Sequence, residues 1–419
     1  MSIDLCIGGI AALAIGIGVR VTCALRLCVM TLSSGPLDGL VVVALEQAVA
    51  APFASRQLAD LGARTIKIER PGGGDFARGY DSTVHGLASH FVWLNAGKES
   101  VVADLKTAEG RALLDRLLAH ADVFIQNLSP RAARSLGVSA RQLTERHSRL
   151  IACDISGYGS GGPYEERKAY DLLIQSEAGL VAVTGTPETP AKVGISIADI
   201  AAGMYAYSGI LSALHQRHRT GLGTALEVSM LEALGEWMGY AYLYSGYGGT
   251  QPARAGASHA TIAPYGPVRT LGGQIVMFGL QNEREWAVFC GQVLRRADVA
   301  QDPRFGGNAQ RVEHREELDR IVADVFAELE LDEAVGRLES AGIAYAQQRS
   351  LAEFVAHPQL KARDRWRTAQ TSAGPVEVLK PAVTADWPTP SGSVPALGEH
   401  TEGVLAWLDG LEAEQGVTA

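Results

Sequence analysis

A doubly wound, mainly parallel α/β sheet is the fold that the sequence predicts, and three observations carry the prediction. Short apolar runs recur: LDGLVVVA (37–44), TIKIE (65–69), SVVAD (100–104), VFIQ (123–126) and LIACDI (150–155). Segments with helical spacing stand between them, at 50–61, 109–120 and 139–147. The first run is apolar at both parities, as in a strand covered on both faces. Strands alternating with helices in this way build a parallel sheet. Ligands in such sheets bind outside the carboxyl ends of the strands. The loops 46–51, 70–75, 127–134 and 156–163 are therefore the candidate walls of a site.

Each element has a local reason. Pro52 falls in the first turn of the 50–61 helix, where its missing N–H is no loss. Pro71-Gly72-Gly73-Gly74 closes the second strand, and Ser139 is a natural N-cap. Residues 205–244 read as long helices broken at Thr220-Gly221-Leu222-Gly223. Residues 244–257 are Gly-rich and read as a loop. Two short strands are expected around Gly272-Gly273, followed by helices at 283–294, 314–329 and 331–341. The tail predicts strands over 376–387 and a helix ending the 395–408 segment. This divides the chain into an extension (1–30), a first part of a large domain (31–225), a linker (226–255), a smaller α/β domain (256–350) and a return to the large domain (351–419).

With 419 residues, 47% of them hydrophobic and 20% charged, the chain can bury a large core. A formal net charge of −9 argues against nucleic acid as the main partner. Five cysteines are too few for a disulfide framework. Cys153 and Cys290 read as reduced core residues, and no His/Cys group has metal spacing, so no metal is expected. The apolar run 7–19 lacks the basic flank of a signal peptide and is short for a membrane span. The expectation is a cytoplasmic protein, with no membrane partner, whose natural start is Met30; a targeting segment and a structured extension are the alternatives for residues 1–29.

The stretch 168–223 holds two carboxylates, Asp171 and Asp199, among small apolar residues. Asp199 precedes Ile200, Met204, Ile210, Leu211 and Leu214, which places it at or near a helix start. An acid there is an N-cap or a reactive group beside helix N–H donors. Asp171, directly after Tyr170 and before Leu172-Leu173-Ile174, is read as an N-cap, a buried hydrogen-bond partner or a supporting site residue.

Several motifs occur in order along the chain: AAPFASRQLADLGARTIKIERPGGGD (50–75), NAGKES (95–100), GYGSGGPY (157–164), RKAYD (167–171), GISIADIAAGMYA (194–206) and LGEHT (397–401). Together they resemble the class III CoA-transferases, the superfamily of formyl-CoA transferase, carnitine CoA-transferase and α-methylacyl-CoA racemase. The resemblance implies a Rossmann-like large domain from both chain ends, a small central domain and an interlocked homodimer. It puts the nucleophile on Asp199, which would carry CoA as an aspartyl thioester between carboxylic acids. It implies no tightly bound cofactor, only CoA thioesters as substrates, with an acyl-CoA donor and a carboxylate acceptor as partners. Arg70, Lys98, Asn127, Leu128 and Lys168 match CoA-contacting positions. The family usually has a glycine at the position of Arg131 and an arginine at that of Ser135; this chain has Arg131 and Arg134 instead, so Arg134 is a further candidate. Tyr170 replaces the histidine of the racemase branch and, with an intrinsic pKa near ~10, is poorly suited to proton exchange. Gln47 lies where relatives cover the thioester. The segment ASHATIAPY (257–265) resembles the branch that handles small dicarboxylic acids, with His259 or Arg254 facing a distal carboxylate. The alternatives are a racemase-type isomerase and a non-catalytic CoA-binding protein.

Overall fold

The computed structural model describes residues 35–390, 392–414 and 416. The extension 1–30, and with it the expected start at Met30, lies outside the described residues. Six parallel strands form the main sheet: β1 (Val41–Leu45), β2 (Arg64–Glu69), β3 (Lys98–Val102), β4 (Val123–Gln126), β5 (Ile151–Ser156) and β6 (Ala225–Ser229), in the order β3-β2-β1-β4-β5-β6. The chain winds outward from β1 to β3 on one side and from β4 to β6 on the other. The switch point therefore lies between β1 and β4.

The first five strands fall on the runs the sequence marks out. The third begins at Lys98 rather than Ser100. The sixth strand is a correction. Residues 226–255 read as a linker, yet β6 pairs with β5 from Ala152↔Ala225 to Ser156↔Ser229, and the helix Met230–Trp237 buries Met230, Ala233 and Leu234 in the main core. The alternation in β6, ALEVS, is masked by the Gly-rich turn before it. The break at Gly221 is as expected: it caps the preceding helix in the left-handed region, at φ 77°.

Two helices set the position of the site. Helix α1 (Ala50–Asp60) and the long helix Ile197–Thr220 pack on one face of the sheet. The long helix is apolar and long enough to cross a membrane by composition. Here its small face, Ala198, Ala201, Ala202, Gly203 and Ala206, is buried in the domain core against Ala50, Ala51 and Ala54. Small residues let the backbones approach. A Cβ at Gly203 would lie 2.7 Å from the Ala50 carbonyl oxygen and 3.1 Å from Phe53.

The other face of the sheet is covered by the helices Ala108–His120, Pro130–Leu136 and Ala140–Arg146 together with the C-terminal helix Thr401–Glu414. Val404 and Leu408 of that last helix share a core with Val43, Ile66 and Phe124. The large domain is thus built from both ends of the described chain. Between them, β7 (Tyr265–Arg269), β8 (Ile275–Gly279) and β9 (Ala344–Gln347) form an antiparallel sheet with its own core around Phe278, Phe289 and Phe326. The tail strands are β10 (Trp366–Thr371) and β11 (Gly374–Leu379), a hairpin earlier than the 376–387 expected. Residues 380–390 contain no strand. Cys153 and Cys290 are buried and free.

Candidate active site

A cleft of about 470 Å³ opens at the carboxyl ends of β1, β4 and β5, beside the switch point. Its walls include Gln47–Ala50 after β1, Asn127–Pro130 after β4, and the loop leading to Tyr170 and Asp171. Asp199 and Ser196, at the start of the long helix, close one side.

The two aspartates divide their work in a way the sequence leaves open. Asp199 is the third residue of its helix, after Ser196 at the cap position, whose own side chain makes no capping bond. The capping acid is Asp171: its Oδ1 accepts the Ala198 N–H at 2.8 Å, and its Oδ2 accepts Gln175 Nε2 at 2.7 Å. Gln175 in turn accepts the Val193 N–H at 2.9 Å, which ties the approach to the long helix. The bland reading of an N-cap therefore belongs to Asp171, not to Asp199. Burial pushes the Asp199 carboxyl up to about 7, helped by the like charge of Asp171.

The first two N–H groups at the start of the long helix are already engaged. There the Ile197 N–H goes to the Ile195 carbonyl at 2.8 Å and the Ala198 N–H goes to Asp171. Helix α1 starts at Ala50 with no side-chain cap at Val49, and both residues line the cleft. Its first N–H groups are the backbone donors that the helix leaves over.

The loop before α1 is held from two sides. Asn127 Oδ1 accepts the Gln47 N–H at 2.9 Å, and Asn127 Nδ2 donates to the Gln47 carbonyl at 2.8 Å. Asp75 Oδ1 accepts the Ala48 N–H at 3.0 Å. Ala48 itself sits at φ 63°, in the left-handed region.

Of the residues predicted from sequence, the cleft gathers Gln47, Asn127, Leu128, Lys168, Tyr170, Asp171 and Asp199. Arg70 lines an adjoining pocket of about 270 Å³ at the ends of β1 to β3, with Leu128 on the shared wall. Four expected residues fare otherwise. Lys98 is fully buried, and its ammonium is taken by Glu46 (2.7 Å), the Pro52 carbonyl (3.0 Å) and Asn95 (3.1 Å), so it faces neither pocket. Its place inside β3, rather than in a loop, turns it inward. Arg134 lies outside both pockets and pairs with Glu165 and with Glu166 at 2.7 Å. His259 belongs to the central domain, where it stacks on Tyr265 at 5.3 Å and accepts the Thr261 N–H; it does not line the Asp199 cleft of its own chain. Arg254 likewise donates to the Thr186 and Pro187 carbonyls.

The sequence reading missed Phe76, Tyr80, His90 and Arg167 in the cleft and Lys106 in the adjoining pocket. His90 stands edge-on to Tyr80 at 5.5 Å, and its Nδ1 is buried with no hydrogen-bond partner among the described residues. Burial, with Asp75 and Asp199 nearby, pushes the Tyr80 hydroxyl up and keeps it a neutral donor. Lys106 could have been found, because it follows a predicted strand directly. The aromatic residues carry no pattern that separates a cleft from a core.

A parallel sheet with its cleft at the switch point and cations on the flanking loops defines an α/β enzyme for an anionic ligand. The model of CoA-transferase family III matches residues 37–401. The chain belongs to that family and is a CoA-transferase, as the ordered motifs implied. It is 34% identical over 400 residues to an acyl-CoA transferase of Fusarium pseudograminearum, covering 91% of this chain and 86% of that protein. It is 32% identical over 391 residues to the succinate–glutarate CoA-transferase of Agrobacterium fabrum, covering 90% and 96%. A solved CaiB/BaiF family protein from Brucella suis superposes with a TM-score of 0.78 at 33% identity, covering 90% of this chain and all of that one.

Proposed function

We propose that the protein transfers CoA between small carboxylic acids, including dicarboxylic acids, with Asp199 as the covalent carrier. The observation that carries the proposal is a largely buried carboxylate on the cleft wall whose charged neighbour, among the described residues, is another acid, Asp171. The Asp199 carboxylate attacks the thioester carbonyl of the donor, giving a mixed anhydride and the CoA thiolate. The thiolate attacks the aspartyl carbonyl of that anhydride, releasing the donor acid and leaving an Asp199–CoA thioester. The acceptor carboxylate then attacks this thioester, and the released thiolate takes the new acyl group from the second anhydride. Each tetrahedral oxyanion needs N–H donors, and the uncapped start of α1 offers them across the cleft. Asp199 is less solvated than an ordinary carboxylate, which strengthens it as a nucleophile once ionised.

Arg70 and Lys106, beside the adjoining pocket, are cations suited to CoA phosphates. Arg167 and Lys168, on the cleft wall, suit a second carboxylate. The dicarboxylate reading also draws on the relative from Agrobacterium fabrum, which is named for succinate and glutarate. We further assign the enzyme to the cytoplasm as a homodimer. The exposed helix Gly239–Gly248, with Tyr240, Tyr242, Leu243 and Tyr247 at its surface, supports a second copy.

Mass spectrometry after incubation with succinyl-CoA and then hydroxylamine tests the carrier. Modification of Asp199 is the expected result. An unmodified Asp199 during turnover would overturn it.

A further inference from the structure

Behind the Gln47–Val49 loop lies a buried charge cluster that the chemistry above does not use. Glu46, Lys67 and Lys98 are fully buried side chains, and Asp75 is buried beside them. Lys67 Nζ lies 2.8 Å from Asp75 Oδ2 and 3.3 Å from Glu46 Oε1. Lys98 Nζ lies 2.7 Å from the same Glu46 oxygen, and Ser55 donates to the other at 2.6 Å. A second layer supports the first: Glu69 accepts the Asp75 N–H at 2.9 Å and pairs with Arg78 at 2.7 Å. The four central groups carry two charges of each sign.

Such a cluster is a poor source of stability, because desolvation offsets the attraction between its members. What it does fix is position. One oxygen of Asp75 is held by Lys67, and the other accepts the Ala48 N–H. Ala48 is the residue at φ 63°, which an alanine avoids unless its surroundings enforce it. Ala48 leads into Val49 and the uncapped start of α1, facing the cleft that holds Asp199.

We propose that Asp75, locked by Lys67 and the Glu46–Lys98 pair, is a positioning residue that holds Ala48 in its left-handed turn and so aims the first N–H groups of α1 at the reacting carbonyl. The proposal rests on the reading that chemistry occurs at Asp199. It makes a prediction that a purely structural cluster does not. If Asp75 acts by enforcing the turn at Ala48, glycine at that position, which takes the turn without cost, should stand in for it.

The test is steady-state CoA transfer from succinyl-CoA to an acid that the wild type uses, for Asp75→Asn with and without Ala48→Gly. The expected result is at least a tenfold fall in kcat for Asp75→Asn, with KM for the donor within twofold. Adding Ala48→Gly should recover most of that loss. An unchanged kcat in Asp75→Asn, or no recovery in the double variant, would overturn the proposal. Should Asp75→Asn not fold, Lys67→Gln with Asp75→Asn removes one charge of each sign and enters the same comparison. Failure of the Asp199 reading is separate: Asp199→Ala would then retain turnover, while the Asp75 and Ala48 rates still report on the loop.

Discussion

Asp199 and Asp75 both serve one cleft, and the fold treats them in opposite ways. Asp75 has a lysine on one oxygen and a backbone N–H on the other. Asp199 has Asp171 for a charged neighbour, and its carboxyl is pushed up to about 7 by burial and by that acid. Their surroundings account for the difference. The layer around Glu46, Lys67 and Lys98 is buried and charge-balanced, so an acid there is pinned. The layer between α1 and the long helix is built of alanine and glycine, so among the described residues the acid at its edge meets no cation. Pairing fixes geometry, and the absence of pairing keeps a carboxylate reactive.

The sharpest way to break this contrast is at Asp199 itself. Asp199→Ala should lower turnover by about a thousandfold or more, measured with succinyl-CoA as donor. Asp199→Asn should also stabilise the protein at pH 8, by on the order of 2 kcal/mol in denaturant unfolding. The sign follows from the raised carboxyl. Between the unfolded value near ~4 and the folded value of about 7, the native state holds the proton that the unfolded chain has lost, so wild-type stability falls as pH rises through this window. The gain should therefore shrink as pH falls towards 4. Replacement of Asp75 should go the other way and destabilise.

Gly203→Ala tests the neutral layer next. Its Cβ would meet the Ala50 carbonyl at 2.7 Å, so α1 must move off the long helix. The expected cost is about 1–3 kcal/mol of stability, with a fall in kcat of up to roughly a hundredfold, the penalty of a misplacement of about 1 Å. A smaller effect is expected on the pH profile. Wild-type kcat/KM should rise with pH to a plateau, with a midpoint near 7, as Asp199 ionises. Asp171→Asn keeps an oxygen for the Ala198 N–H but removes the like charge, so the midpoint should fall by roughly one unit or less. The smallest contrast lies among the arginines. Arg70→Gln should raise the donor KM several-fold, whereas Arg134→Gln, already engaged by Glu165 and Glu166 at the surface, should change it by less than about twofold.

Much of the fold was legible because β-branched runs and Gly/Pro turns are local signals. Strands β1 to β5 and α1 were read within a few residues. β6 was not, because ALEVS is short, half exposed and follows a helix without an apolar run of its own. The placement of Asp199 near a helix start was also legible. That Asp171 takes the capping role was not, since the bond joins residues 27 apart. Lys98 illustrates a failure of register. The resemblance puts it in contact with CoA, and the pairing Thr65↔Lys98 places it instead inside the sheet as a buried partner of Glu46. His259 was read from a segment of the central domain, and sequence alone does not tell which cleft a loop of another domain faces.

The most direct measurement follows oxygen rather than activity. When the acceptor acid opens the Asp199 thioester and its acyl group departs with CoA, one acceptor oxygen stays in the Asp199 carboxyl. Tryptic cleavage after Lys192 and Arg217 yields the peptide 193–217, in which Asp199 is the sole acidic side chain. After turnover of succinyl-CoA with a heavy-oxygen-labelled dicarboxylate acceptor, and digestion in ordinary water, Asp199 in that peptide should carry the label. Turnover that leaves its carboxyl unlabelled would contradict the account.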